Sequence, residues 1–384
     1  MAKVFNIKKV FKGDSIMEKL KRFLDCYIPT ETCNLRCHYC YIAQMRNFNN
    51  KLAQFKCSPE VIRKALSKER LGGTCLINFC AGGETLLEEE VVRVLKALLE
   101  EGHYVMVVTN GTLTQRINEI LEFDSELLKR LFFKFSFHYL ELLKRNLMET
   151  YFENVKKVRS SEASFTIELT PSDELIPYIE DVKKVCMENL GALCHVTIAR
   201  DERTKDVDVL SKYSFEEYKK IWGTFDSALF DFKASIFYKK RKEFCYAGDW
   251  SLYINLGTGD MKQCYWGRPL DNIYKNIDKP LNFKALGHNC TLPHCWAGHA
   301  FLTLGNIPEL DTVTYAETRN RIDSEGRTWL KPQMEQFMKQ KLKYNNEEYS
   351  FIKKEEIAIE NDVKYIGEIP KKIANRIKDI KKDK

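Results

Sequence analysis

Residues Thr30–Tyr41 read TETCNLRCHYCY, which sets Cys33, Cys37 and Cys40 at spacings of four and three within eight residues. Directly before them, Arg22–Ile28 is an apolar run rich in aromatic residues, with the composition of a strand. Three thiols are therefore gathered on one tight loop where a strand ends. A four-iron, four-sulfur cluster normally takes four thiolates, so three would leave one iron open to a small molecule. Structural zinc instead wants a closed set of four, usually collected as two separated pairs. His38 could complete a zinc set on paper, although its place inside the loop makes convergence difficult. Spacing alone leaves iron–sulfur, zinc and coincidence open.

Further strand-like runs follow at Thr74–Cys80, Tyr104–Thr109, Leu131–His138, Ser164–Thr170 and Cys194–Ala199. Helical spacing lies between them, over Pro59–Glu69 with Ser58 as N-cap, over Leu87–Glu101 ending at Gly102, and over Asp173–Leu190 between Ser172 and Gly191. Six strand–helix units in series predict an α/β fold with a parallel sheet and helices outside, curled into a partial (βα)6 TIM-like barrel. The expected core spans residues 1–235. After it the pattern changes: residues 236–310 have short strand-like pieces, several Gly, four Cys and three His. That composition predicts a small, loop-rich module held by a metal. Residues 311–384 read as a charged, mostly helical extension with a strand-like piece near Val363–Ile366.

The second strand ends in NFCAGGETL, placing Gly82, Gly83 and Glu84 at its C-terminal end. Two glycines let the backbone approach a ligand closely, and a carboxylate beside them can accept from an ammonium group. On its own the segment also reads as an ordinary strand-to-helix turn.

Taken together, Cys33, Cys37 and Cys40 with Tyr39 before the last cysteine, followed one strand later by Gly82–Gly83–Glu84, resemble the radical S-adenosylmethionine (radical SAM) superfamily. The resemblance implies a 4Fe-4S cluster whose open iron is chelated by the amino and carboxylate groups of S-adenosylmethionine. It implies one-electron cleavage of the sulfonium to a 5′-deoxyadenosyl radical, which takes a hydrogen atom from the substrate. By the same placement Tyr39, Gly82, Gly83 and Glu84 would contact the cofactor, and Asn110 and Ser136 would reach its ribose or carboxylate. His138 reads either as a substrate contact or as a satisfied loop histidine.

Downstream, FCYAGDW, LGTGDMKQCYWG and HNCTLPHCW bring in Cys245, Cys264, Cys290 and Cys295. A Cys–strand–turn–strand–Cys arrangement, with Gly257 and Gly259 in the turn, resembles the auxiliary-cluster domains (SPASM or the shorter twitch type) attached to many radical SAM enzymes. Four cysteines fit the single-cluster version, although the usual tight pair is here replaced by Cys290 and Cys295. Full ligation would make an auxiliary 4Fe-4S cluster an electron conduit; a vacant site would let it bind substrate. Zinc held by the same cysteines, or by a set including His288, His294 or His299, is the other reading. Cys26, Cys57, Cys75, Cys80, Cys186 and Cys194 read mostly as small buried hydrophobes.

Composition sets the bounds on all of this. The chain has 384 residues, 44% of them hydrophobic, enough for a sizeable core. Thirteen cysteines without a secretory signal argue for metal ligands in a reducing compartment rather than a disulfide framework. No apolar run approaches the roughly 20 residues a bilayer span requires, so a cytoplasmic protein is expected. The net charge is +7, and residues 371–384 carry seven Lys or Arg against two Asp; this run reads as a solvated tail, with no nucleic-acid partner expected. The resemblance implies an oxidoreductase or modifying enzyme fed by a donor such as flavodoxin or ferredoxin. Its expected substrate is a peptide or protein side chain, with a carbohydrate or other small molecule as the alternative. Only 21 residues precede Arg22, so no added leader-binding domain is expected there. A non-catalytic redox sensor or metal-stabilised binding protein is the rival of another class, and the Gly-Gly-Glu turn speaks against it.

Overall fold

A computed structural model describes residues 18–46, 49–361 and 363. Its frame is one sheet. Six strands, β1 (Arg22–Ile28), β2 (Cys75–Ala81), β3 (Tyr104–Thr109), β4 (Leu131–Phe137), β5 (Ser164–Leu169) and β6 (His195–Val196), pair in parallel and in chain order. Helices connect them, as burial of both sheet faces demands of parallel strands. The expected open α/β barrel is what forms: β6 ends the sheet on one side, and among the described residues nothing closes it onto β1.

The other edge of β1 is taken by β7 (Ser251–Asn255), parallel, with Phe23 opposite Ser251 and Tyr27 opposite Asn255. The sheet then turns antiparallel through β8 (Asp260–Lys262) and β9 (Pro269–Asn272). The cysteine-rich module is thus stitched to the barrel by backbone hydrogen bonds along its first strand.

Element ends follow local chemistry. The helical pattern over Pro59–Glu69 splits into helices Pro59–Ala65 and Lys68–Leu71, because the Ser67 hydroxyl accepts from Arg70 N and starts a second helix. Over Asp173–Leu190 the chain begins as a 3-10 turn containing Pro177 and becomes α-helical only from Ile179, ending at Gly191 with φ 68°. The sixth strand is shorter than its apolar run: Thr197 N still donates to Leu169 O at 2.9 Å, after which the chain leaves the sheet and Ala199 O accepts from Leu210 N.

Strand alternation sorts the core into two layers. Leu24, Cys26, Ile28, Ile77, Phe79, Val107 and Phe135 belong to the layer under the helices. Phe23, Leu76, Tyr104, Met106 and Phe132 belong to the other, with Trp250, Phe301, Leu330, Met334 and Phe337 from the C-terminal third. Phe337 stacks on Tyr104 at 3.6 Å, and Trp329 on Phe165 at 5.1 Å. Of the charged extension, helices form at Pro332–Met338, Leu342–Asn345 and 351–361, whereas 311–331 is largely irregular. These residues fill the barrel floor. Of the strand-like piece at 363–366, Val363 is helical, and residues 364–366 and the basic run 371–384 lie outside the described residues. Among the described residues no helix is long and apolar enough to cross a membrane.

Candidate active site

Cys33, Cys37 and Cys40 all face one cavity of about 90 Å³ at the C-terminal ends of the strands, together with Gly82, Gly83, Glu84, Asn110, Ser136 and His138. The loop that carries them is fixed by its backbone. Thr32 O accepts from Glu84 N at 3.0 Å, Cys40 N donates to Cys37 O at 3.2 Å, and Arg36 N donates to Glu141 at 3.1 Å. Cys33 Sγ accepts from Leu35 N at 3.4 Å and from the Asn110 amide at 3.7 Å. Burial, reinforced by the neighbouring thiols, pushes Cys33 up to about 11 and Cys37 up to about 12. Burial, and the charge each thiolate would place on the next, hold these groups in their protonated form; a bound metal would take the thiolates, their protons leaving to solvent. His38 points away: its Nε2 pairs with Glu174 at 2.9 Å on the exposed side of the loop. It does not complete a ligand set with the three cysteines.

The Gly82–Glu84 turn has an internal reason. A Cβ on Gly83 would stand 1.8 Å from Thr32 O, and one on Gly82 would stand 2.8 Å from Tyr27 Oη. The close approach that these glycines permit is to the cysteine loop itself. Glu84 is buried, accepting from Thr109 Oγ1 at 2.7 Å, Asn110 N at 2.7 Å and Leu86 N at 3.0 Å. A carboxylate offers about four lone-pair sites, so these three donors leave room for one more. Burial pushes its carboxyl upward while the three donors pull against that.

The remaining candidates divide. Asn110, Ser136 and His138 line the cavity, and Asn110 also donates to Asn34 Oδ1 at 2.7 Å. Tyr39 does not line it; its hydroxyl meets His138 Nδ1 at 2.8 Å, and burial holds that imidazole down at about 4.

A second cavity, of about 260 Å³, shares Tyr41 and Val108 with the first and is walled by Cys245, Cys264, Cys290 and Cys295. Burial, with each other's charge, raises Cys245 to about 12 and Cys264 to about 11, and holds Cys295 well above the ordinary thiol range. Of the histidines weighed as zinc ligands, His299 lines this cavity, His288 turns to Lys242 O at 2.8 Å, and His294 packs on Phe237 at 4.2 Å. Among the described residues no three Cys, His, Asp or Glu side chains converge as a single metal ion requires. Both cysteine groups ring a cavity instead.

Several residues of this second cavity escaped the reading by motif. Asp25, Asn78, Cys80 and Lys134 face it from β1, β2 and β4, and Tyr265, Trp266 and Trp296 stand at its rim. Cys80 is thereby a cavity residue rather than a buried filler. A signal for Asp25 and Lys134 did exist: each is the single charge in the middle of an apolar strand, RFLDCYI and LFFKFSF. The wall of a cavity, where a bound group or water can answer them, is where such charges are tolerated.

Comparison with known proteins adds the following. Residues 27–169 match the family model described as Radical SAM superfamily, a span from the cysteine loop through β5. The curated proteins yield no match. Among solved structures, Streptococcus suis SuiB bound to S-adenosylmethionine aligns at TM-score 0.48 and 15% identity, covering 68% of this chain and 65% of SuiB. Native anSMEcpe with bound AdoMet aligns at 0.47 and 17%, over 66% of this chain and 79% of that one. BtrN in complex with AdoMet and 2-DOIA aligns at 0.37 and 14%, over 68% and 82%. This chain therefore spans just under two thirds of SuiB. The family match and the cysteine loop together support a radical SAM domain over residues 27–169.

Proposed function

We propose that this protein is a radical SAM enzyme that oxidatively modifies a peptide or protein side chain, using an auxiliary iron–sulfur cluster beside the substrate. One observation carries the reading: the cavity ringed by three thiols adjoins, through Tyr41 and Val108, a second cavity walled by four. Cys33, Cys37 and Cys40 would hold the first 4Fe-4S cluster, and Cys245, Cys264, Cys290 and Cys295 the second. When bound, the first cluster and S-adenosylmethionine supply reductive cleavage and hydrogen-atom abstraction; the protein positions substrate and excludes water. Glu84 would offer its spare lone pair to the cofactor's ammonium, with Asn110 and Ser136 as further polar contacts.

The second cavity, lined also by Asp25, Asn78 and Lys134, would take a substrate side chain beside its cluster. At the mouth of the barrel a wider, polar cleft of about 660 Å³, lined by His38, Gln44, Asp173, Asp201, Arg203 and Ser211, could accommodate the flanking backbone. That pairing of narrow cavity and open cleft favours a peptide over a free small molecule. A one-electron donor of flavodoxin or ferredoxin type completes the proposal.

The test is anaerobic reconstitution. Wild type should bind close to eight irons, at four per cluster, and the Cys33→Ala, Cys37→Ala, Cys40→Ala triple variant about four. Stoichiometric zinc without labile sulfide in protein purified without oxygen would overturn the reading.

A further inference from the structure

One end of the second cavity gathers several charged side chains. Lys134 of β4 lines the cavity, and its Nζ lies 3.0 Å from Glu168 Oε2 on β5. The same carboxylate takes a hydrogen bond from the fully buried Arg319, whose Nε and Nη2 have no acceptor and whose guanidinium lies 4.6 Å over Tyr315. Lys233, on helix Ala228–Ile236, is also buried and donates to Thr197 Oγ1 at 2.6 Å. Arg200 lines the cavity wall, donating to Glu202 at 2.8 Å and to Trp296 O at 3.1 Å. His299 lines the same end with a buried Nδ1 that has no partner.

Four basic side chains, Lys134, Arg200, Lys233 and Arg319, therefore stand around His299, against the carboxylates of Glu168 and Glu202. A third carboxylate, Asp25, lines the same cavity within the field of Lys134 and accepts from Asn78 Nδ2 at 2.8 Å. Buried like charges with unmet donors are costly unless an anion joins them. Lys233 registers the imbalance: burial, then Arg200 and Lys134, drive its ammonium well below the usual lysine range.

We propose that this end of the cavity receives a carboxylate of the substrate, with Lys134, Arg200 and His299 as its partners. The proposal rests on the reading of this cavity as the substrate site. The carboxylate could be an Asp or Glu side chain of a peptide or belong to a free organic acid.

Calorimetric titration of the reconstituted holoprotein, in the absence of S-adenosylmethionine, tests it in two arms. One arm compares capped Ala-Glu-Ala with capped Ala-Gln-Ala; the other compares glutarate with glutaramide. In at least one arm the acid should bind about tenfold tighter than its amide, the loss expected for one charge-assisted hydrogen bond. The arm that responds names the source. Lys134→Met should abolish the preference and Lys134→Arg should keep it. If Lys134→Met fails to hold its iron, Arg200→Gln, on a loop outside the sheet, replaces it with the same expectation. Equal binding of acid and amide in both arms, a preference that survives in the folded variant, or binding of inorganic phosphate with neither acid would overturn the proposal. Cleavage of S-adenosylmethionine by dithionite-reduced wild type without substrate tests the functional reading separately, so each can fail alone.

Discussion

Replacing Gly83 with Ala should disable the first cysteine loop without touching a thiol. The new Cβ would lie 1.8 Å from Thr32 O, 2.5 Å from Thr32 C and 2.8 Å from Thr32 N. Carbon atoms rest at about 3.5–4.0 Å, so one backbone must move by roughly 1.5 Å, and no side-chain rotation can absorb it. The motion breaks the 3.0 Å bond from Glu84 N to Thr32 O and drags Cys33, one residue on, out of register with Asn110. Overpacking costs about 1–3 kcal/mol and the lost hydrogen bond about 1 more, so the metal-free protein should lose about 2–4 kcal/mol. A shift of about 1 Å at a reacting centre costs about 10²-fold in rate, and uncoupled S-adenosylmethionine cleavage should fall by that order. Denaturant unfolding of the metal-free protein, iron per chain after reconstitution and cleavage rate are the three measurements. Gly223→Ala, whose Cβ meets nothing within 4 Å, is the control. A Gly83→Ala protein with wild-type stability and iron content would refute the argument that this glycine exists to admit the loop.

Glu84→Gln should lower the stability of the metal-free protein by about 2–4 kcal/mol, because its new amide faces a buried hydroxyl or backbone N–H; unfolding midpoints equal to wild type would show that its three bonds hold nothing together. Binding of S-adenosylmethionine to the variant, by equilibrium dialysis, should weaken as well. Cys245→Ala with Cys264→Ala should leave about four irons and retain dithionite-driven cleavage while product formation collapses; circular dichroism must show the module still folded, and normal product from a four-iron protein would remove the second cluster from the mechanism. His103 is buried, hydrogen-bonded to Leu66 O at 2.8 Å and accepting from Cys75 N at 3.1 Å, and burial holds it at about 4 against 6.5 in the unfolded chain. The unfolded state therefore takes up the proton first. Its stability contribution is complete above pH 6.5 and is lost as pH falls toward 4, by up to about 3 kcal/mol. Unfolding midpoints of the metal-free protein between pH 7.5 and 4.5 should show this slope flattened in His103→Gln, and an unchanged slope would refute it.

Much of the barrel was legible because its signals are short-range. β1 is the apolar run Arg22–Ile28, Ser58 and Gly191 mark helix ends through their own side chain or backbone, and the three thiols advertise their loop by spacing. The Ser67 restart was missed because Ser serves equally as a solvated helix residue and a cap; only its bond to Arg70 N decides. Asp25 and Lys134 were visible as interruptions of apolar strands, but alternation says only that a charge faces one side of a sheet, not what awaits it there.

The sequence by itself therefore settled the order of strands and helices, the parallel sheet and the loop that gathers Cys33, Cys37 and Cys40, since each depends on dihedral preference, alternation or spacing within a few residues. Tertiary structure alone decided that β7 pairs with β1 across more than two hundred residues, and that Phe337 and Trp329 plug the barrel floor. It alone decided that Glu84 spends three of its lone pairs on the protein, and that Lys134, Glu168 and Arg319 meet from three distant segments. Such contacts arise from competition among all the surfaces the chain can bury and all the polar groups it must satisfy, and no local stretch of sequence records how that competition ends.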